Sequence, residues 1–232
     1  MFEKLFLKIS ITIWLTIIIV VGFVFPIVDF PQHWYEFPLI PGLEDKARNI
    51  FFHVPMAWVT VVAFVMSMVY AIQYLKKRTS EYDIRSVAAA ELGMLFCVLA
   101  TVTGAIWAKF NWGTFWNWDP RQTSIFILLL IYAAYFALRS AIDEEQKKAT
   151  LSAVYSIIAG VTVPFFIFVM PRMMKGLHPG SKGDSEGAGP VLEFKMAPNM
   201  LVIFFASLIG FTLLYWWMYS VSVRLKRLEE KV

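Results

Sequence analysis

The chain is poor in the groups from which soluble enzymes build reactive centres. One cysteine, Cys97, lies inside an apolar run, so there is no disulfide framework and no C-x-x-C thiol pair. No G-x-x-x-x-G-K-[ST] stretch occurs, which excludes nucleotide hydrolysis by a P-loop and leaves any energy input to a partner. Histidine is limited to three residues, and the carboxylates near them in sequence (Asp29, Glu44, Asp45, Asp184, Glu186) show no zinc-ligand spacing. Charged residues make up only 16% of the chain. The net charge of +4 comes from basic clusters at the ends of apolar runs, where they complement anionic lipid rather than nucleic acid.

What is abundant is hydrocarbon: 59% of the 232 residues are hydrophobic, far above the usage of a soluble domain. Apolar stretches run at about 9–28, 51–75, 86–108, 124–138, 151–170 and 200–223, most of them close to the ~20 residues that cross a bilayer core. Unbroken hydrophobicity lacks the alternation of a barrel strand, so these runs predict an all-α integral membrane bundle of six helices forming one membrane domain over 1–232. The shortest run is bounded by Arg121 and Arg139, which can snorkel to the interfaces. The first run has no small-x-small cleavage site behind it and is read as retained. Basic residues cluster at 76–78, 147–148 and 224–227, together with Lys4 and Lys8, which predicts cytoplasmic termini. The connections 29–50, 109–123 and 171–199 then face outward. The last of these contains GLHPGSKGDSEGAGP at 176–190 and reads as a flexible loop. Pro164 predicts a kink in the fifth helix. Glu91, the one charge within a run, reads either as part of a transport path or as a carboxylate reaching the nearby interface.

His33, His53 and His178 all map to the outward side. Each alone reads as an ordinary interface residue. His53, in FFHVP, should cap the second helix, because proline favours the first helical turn. His178, between Leu177 and Pro179, should be the mobile member of a pair. Two imidazoles brought together from a helix end and a loop suit haem iron better than tetrahedral zinc.

Between them in sequence lies FNWGTFWNWDP at 110–120. A helical 112–119 would gather Trp112, Phe115, Trp116 and Asp119 into one arc, with Trp118 on another side. An aromatic belt accounts for one or two such rings at an interface, not for this density. A large flat ligand would gain ~0.5–1.5 kcal/mol per ring contact, and Gly113 would let it approach the backbone. Asp119, Pro120 and Gln122 occupy N-cap, N1 and N3 positions and predict the start of the fourth helix. Arg121, and Arg48 one turn or so before His53, are guanidinium candidates for a carboxylate such as a propionate.

WGTFWNWDPRQT at 112–123 resembles the tryptophan-rich WWD motif of the haem-handling proteins of cytochrome c biogenesis, the CcmC, CcmF and CcsA types. Six spans in a chain of this length are most similar to the CcmC type, the haem exporter protein C family. ARNIFFHVPMAW at 47–58 and LATVTGAIW at 99–107 extend the likeness through helices two to four. Phe115, where tryptophan is common, and PRQT at 120–123 in place of ARLT depart from it towards the CcsA type. The resemblance implies haem b as the bound cargo, His53 and His178 as its axial ligands, and no enzymatic chemistry. It also implies a bacterial inner-membrane location with the site on the periplasmic side. The partners implied are the haem chaperone CcmE, the ABC transporter subunits CcmA and CcmB, and CcmD. Two other readings stay open: a permease for another hydrophobic substrate, and a component of a CcsA-type cytochrome c synthetase.

Overall fold

A chain inside hydrocarbon must satisfy its backbone within each segment, and all six apolar runs do so as helices. The computed structural model describes residues 2–178 and 196–230. Helix α1 is Phe2–Val24; a 3₁₀ segment, Glu44–Asn49, leads into α2, Ile50–Lys77; α3 is Ser80–Trp112 and α4 Pro120–Ser140. Helix α5, Glu145–Pro164, continues through a π segment, Phe165–Val169, into the short α6, Met170–Met173, and α7 is Pro198–Glu229. Among the described residues six helical stretches are long and apolar enough to cross a membrane, with α5, the π segment and α6 counting as one.

Several expected boundaries move, each for a local reason. The first span ends at Val24, not 28, because Pro26 cannot continue the hydrogen-bond ladder. The next residues instead form β1, Ile27–Val28, paired in parallel with β2, Phe37–Pro38. The third span starts at Ser80 because Arg78 adopts a left-handed turn and donates its N–H to Tyr74 O at 2.7 Å, reversing the chain between α2 and α3. At Pro164, where a kink is expected, α5 gives way to the π segment Phe165–Val169. Residues 179–195, which hold most of the glycine-rich loop, lie outside the described residues.

Helices α2 and α3 form the centre. Ala88, Ala89 and Ala90 are fully buried, and these small side chains let the two helices approach closely. Val59, Ala63, Phe96 and Tyr215 join α2 and α3 to α7. Phe64, Tyr132, Tyr135 and Val163 join them to α4 and α5. In the buried centre the Ser67 hydroxyl bridges those of Ser156, at 2.9 Å, and Ser86, at 3.2 Å, linking three helices through satisfied polar groups. Helix α1 packs on α7, with Trp14 Nε1 donating to Ala206 O at 3.0 Å.

The end of the bundle carrying the chain termini holds an ion-pair network. Arg139 grips Asp83 through two bonds, 2.9 and 2.5 Å, and Glu81 accepts from Arg85 and Arg227. Lys226 Nζ lies 2.6 Å from Glu91. Of the two readings for Glu91, the pairing supports the interface carboxylate. The opposite end carries the histidines and is covered by the 25–49 connection, whose Phe37 packs with Phe51, Met200 and Phe204.

Candidate functional site

The histidine end of α3 is the base on which the site is built. Four residues along one helical face, Thr103 to Trp107, advance about one turn, ~6 Å of rise. His53 projects from α2 onto the lower part of this face. Its Nδ1 lies 3.0 Å from Thr103 Oγ1. Its ring also lies so close to Gly104 that a Cβ there would stand 2.8 Å from Cε1. Only glycine leaves room for that approach. His53 is not the helix cap expected of it: α2 begins at Ile50 and is continuous with the 3₁₀ segment before it, so His53 sits in the first α-helical turn and Pro55 beyond it. Inside the helix its backbone is held more firmly than a cap position would be.

One turn further along α3 is Trp107, and here His178 arrives. Its ring lies 5.8 Å from Trp107 and 6.4 Å from Trp112, which itself meets Trp107 edge-to-face at 5.2 Å. Asp119 brings it there. The Asp119 carboxylate, 3% exposed, caps α4 through Oδ1, which accepts Arg121 N–H at 2.9 Å. Its Oδ2 accepts the N–H of Leu177 at 2.7 Å and of His178 at 3.3 Å. One side chain thus starts a helix and ties down a segment 59 residues away. His178, expected as a swinging ligand, has its backbone anchored.

The tryptophan segment is not the helical arc expected of it. Helix α3 ends at Trp112, and Gly113, with φ +82°, closes it as a left-handed cap whose N–H meets Lys109 O at 3.1 Å. Residues 114–119 are non-helical, and Asp119, preceding a proline, is held extended. The rings therefore form two groups instead of one shelf. Trp107 and Trp112 enclose His178, whereas Trp116 and Trp118 stand edge-to-face at 5.8 Å and both contact Phe126 of α4. Trp118 takes a left-handed backbone, φ +56°, and is 68% exposed. Phe115 is exposed under the Lys109 ammonium. The expected link from N3 back to the loop is present in altered form: Gln122 accepts Asn117 N–H at 2.8 Å and donates to Phe115 O at 3.2 Å, rather than bonding the cap residue.

The two arginine candidates differ in kind. Arg48 is committed to structure, since Nε lies 3.0 Å from Asp45 and Nη1 donates to Gly22 O at 2.9 Å, joining the 3₁₀ segment to α1. Arg121 has a buried Nε with no protein partner. Its charged neighbours are Asp119 and the like-charged Arg172, and it is itself the charged neighbour of His53. Ser124 Oγ, 3.4 Å from Met170 Sδ, holds the start of α4 against α6 and so sets that proximity. A buried guanidinium nitrogen without a partner costs stability unless an anion meets it.

His33 lies apart, exposed and stacked on Tyr35 at 5.2 Å. Among the described residues no three His, Cys, Asp or Glu side chains group as a metal cage. What is assembled is a pair of imidazoles, indole walls and one unpartnered guanidinium nitrogen, which suits a planar, apolar ligand bearing a nitrogen-seeking metal and a carboxylate. Trp107, Thr103 and Gly104 belong to this arrangement. In sequence they lie within LATVTGAIW at 99–107, part of the family likeness, but their contact with the two imidazoles is legible only once the partner helix face is known.

The family described as Heme exporter protein C (CcmC) matches the chain over residues 9–232. The chain is similar to a Heme exporter protein C of Rhodobacter capsulatus, with 31% identity over 178 residues, 77% of this chain and 72% of that one. A protein of the same name from Bradyrhizobium diazoefficiens is 29% identical over 201 residues, 85% of this chain and 74% of the relative. A putative cytochrome c biosynthesis ccmC-like mitochondrial protein of Marchantia polymorpha is 31% identical over 124 residues, 53% and 52% of the two chains.

Proposed function

Since the chain belongs to the Heme exporter protein C family, we propose that it handles haem for cytochrome c maturation, holding haem b as cargo at the histidine end of the bundle. His53 and His178 are the axial ligands. Trp112, Trp116 and Trp118, with Trp107, supply the apolar walls. Gly113 turns the chain between the two ring groups, Asp119 positions His178, and Arg121 meets a propionate. Arg48, already paired with Asp45, serves by fixing the approach to His53. The histidine end faces the periplasm of a bacterial inner membrane. From it haem passes to the chaperone CcmE, with CcmA, CcmB and CcmD as associates.

The observation that carries this reading is that the two imidazoles meet α3 four residues apart on one face, His53 at Thr103 and His178 at Trp107, with Trp112 at the end of the helix as the second ring beside His178. A neutral imidazole is a good haem ligand, and two of them give a low-spin, six-coordinate iron. Holding cargo between one helix-borne ligand and one loop-borne ligand also suits release, because opening the Asp119 contact frees one ligand without unfolding a helix.

The test is the absorption spectrum of the protein purified with haem available. A six-coordinate haem spectrum that largely disappears in His53→Ala is expected. A protein that retains no haem under these conditions contradicts this reading and is the result a permease for another apolar substrate would give.

A further inference from the structure

His53 has two ring nitrogens, and only one can face a ligand with a lone pair. Which one depends on what the other meets. Nδ1 meets Thr103 Oγ1 at 3.0 Å. A threonine hydroxyl has a single proton, and here two backbone carbonyls compete for it: Leu99 O at 2.8 Å and Ala100 O at 3.1 Å. Both are preceding-turn carbonyls of the same helix, satisfied within a rigid element. With its proton turned into the helix, Thr103 Oγ1 offers His53 only lone pairs. Nδ1 must then be the donor to Thr103 Oγ1, while the Ala100 carbonyl stands beside the ring as a second acceptor.

We infer that Thr103 is a positioning residue for the site: its hydroxyl, oriented by the Leu99 and Ala100 carbonyls, holds His53 as the Nδ1–H tautomer and leaves Nε2 as the nitrogen that ligates. Gly104 completes the device, because any side chain there would meet the Cε1 edge of the ring at 2.8 Å. The imidazole is thereby fixed in rotation by a hydrogen bond and in depth by contact with a bare backbone. Metal-bound histidines generally donate their second nitrogen to such an acceptor, which sets the tautomer and the ring plane. The haem part of this inference rests on the proposed function; the tautomer part does not.

The experiment labels histidine with ¹⁵N and reads the His53 ring nitrogens by NMR in detergent-solubilised, haem-free full-length protein, assigning His53 by the signals lost in His53→Ala. Thr103→Val keeps the branched shape and removes the hydroxyl; Thr103→Ser restores it. The wild type and Thr103→Ser are expected to show a protonated Nδ1 and an unprotonated Nε2, and Thr103→Val a loss of that single tautomer. Protonated Nε2 in the wild type overturns the inference. So does an unchanged Nδ1–H signal in Thr103→Val, since Nδ1–H then has another cause. A second readout uses protein loaded with haem: dissociation from Thr103→Val should be ~10-fold faster or more, the size of effect usual for removing such a supporting acceptor, with Thr103→Ser close to wild type. If wild type takes up no haem, the proposed function fails while the tautomer result stands or falls on the NMR alone.

Discussion

Asp119 and His178 are joined through the backbone: Oδ2 of the carboxylate accepts the His178 N–H at 3.3 Å beside that of Leu177 at 2.7 Å. The other oxygen, Oδ1, caps α4. Its two oxygens therefore do separable jobs, and substitutions can separate them. Asp119→Ser retains a good N-cap oxygen but lacks the second acceptor and the reach to 177–178. Its thermal midpoint should remain near that of wild type, while haem retention falls several-fold. Asp119→Ala loses both jobs and should also lose ~1 kcal/mol of stability from the missing cap. Differential scanning of both variants alongside Soret absorbance checks the separation; equal haem retention in Asp119→Ser would remove the tether from the account.

Trp118 combines an exposed ring with a left-handed backbone, φ +56°. That conformation costs an L-residue ~1–2 kcal/mol relative to glycine. Trp118→Gly and Trp118→Ala delete the same ring, yet only glycine relieves the backbone. Unfolding in mild detergent should place Trp118→Gly above Trp118→Ala by ~1 kcal/mol, with both retaining less haem than wild type. Equal haem retention in the double variant Trp116→Ala, Trp118→Ala would make those rings simple interface anchors.

Arg121 Nε is buried without a protein partner. Replacing the side chain by one of similar length and no charge removes a buried Nε–H that no protein group accepts. Arg121→Met should leave haem-free stability equal to or above wild type and should weaken haem retention. The same scan with and without haem reads both effects. A large loss of haem-free stability would mean that Arg121 is structural.

Glu36 organises the connection over the histidine end by accepting the N–H groups of Gln32, at 2.6 Å, and His33, at 3.0 Å. These bonds to the ionised form, the Gln32 one foremost, hold its carboxyl below the usual carboxylate range. A group whose folded pKa is lowered contributes order above its unfolded pKa and loses it as pH falls through the folded value. The Gln32 amide shift should show no transition through the ordinary carboxylate range and move only below it. In Glu36→Gln that acid transition should be absent.

Membrane chemistry made the spans legible. Hydrocarbon forces helices, so six apolar runs became six helical crossings, and basic clusters marked one end. Positions at the ends were less legible, because there local backbone rules compete with hydropathy. Gly113 and Pro120 are both visible in the sequence, and each disfavours a helix through 114–119, Gly113 as a left-handed cap and Pro120 by holding Asp119 out of the helical region, whatever the spacing of the rings. Asp119 was legible as a cap because a cap is local. Its hold on His178 was not, since the partner is 59 residues distant and contributes only a backbone N–H. Arg48 and Asp45, three apart, were a readable pair that would have separated Arg48 from Arg121 at once. Trp107 and Thr103 stood within the LATVTGAIW likeness, but their roles beside the two imidazoles follow only from what packs against α3.

The central claim is that His53 and His178 bind one iron from two sides. Near-infrared magnetic circular dichroism of the ferric, haem-loaded protein identifies the axial pair directly. A bis-imidazole band is expected in the wild type, with its loss in His53→Gly and in His178→Gly separately and its return in each when free imidazole is added. A bis-imidazole band that persists in either single variant without added imidazole would contradict it.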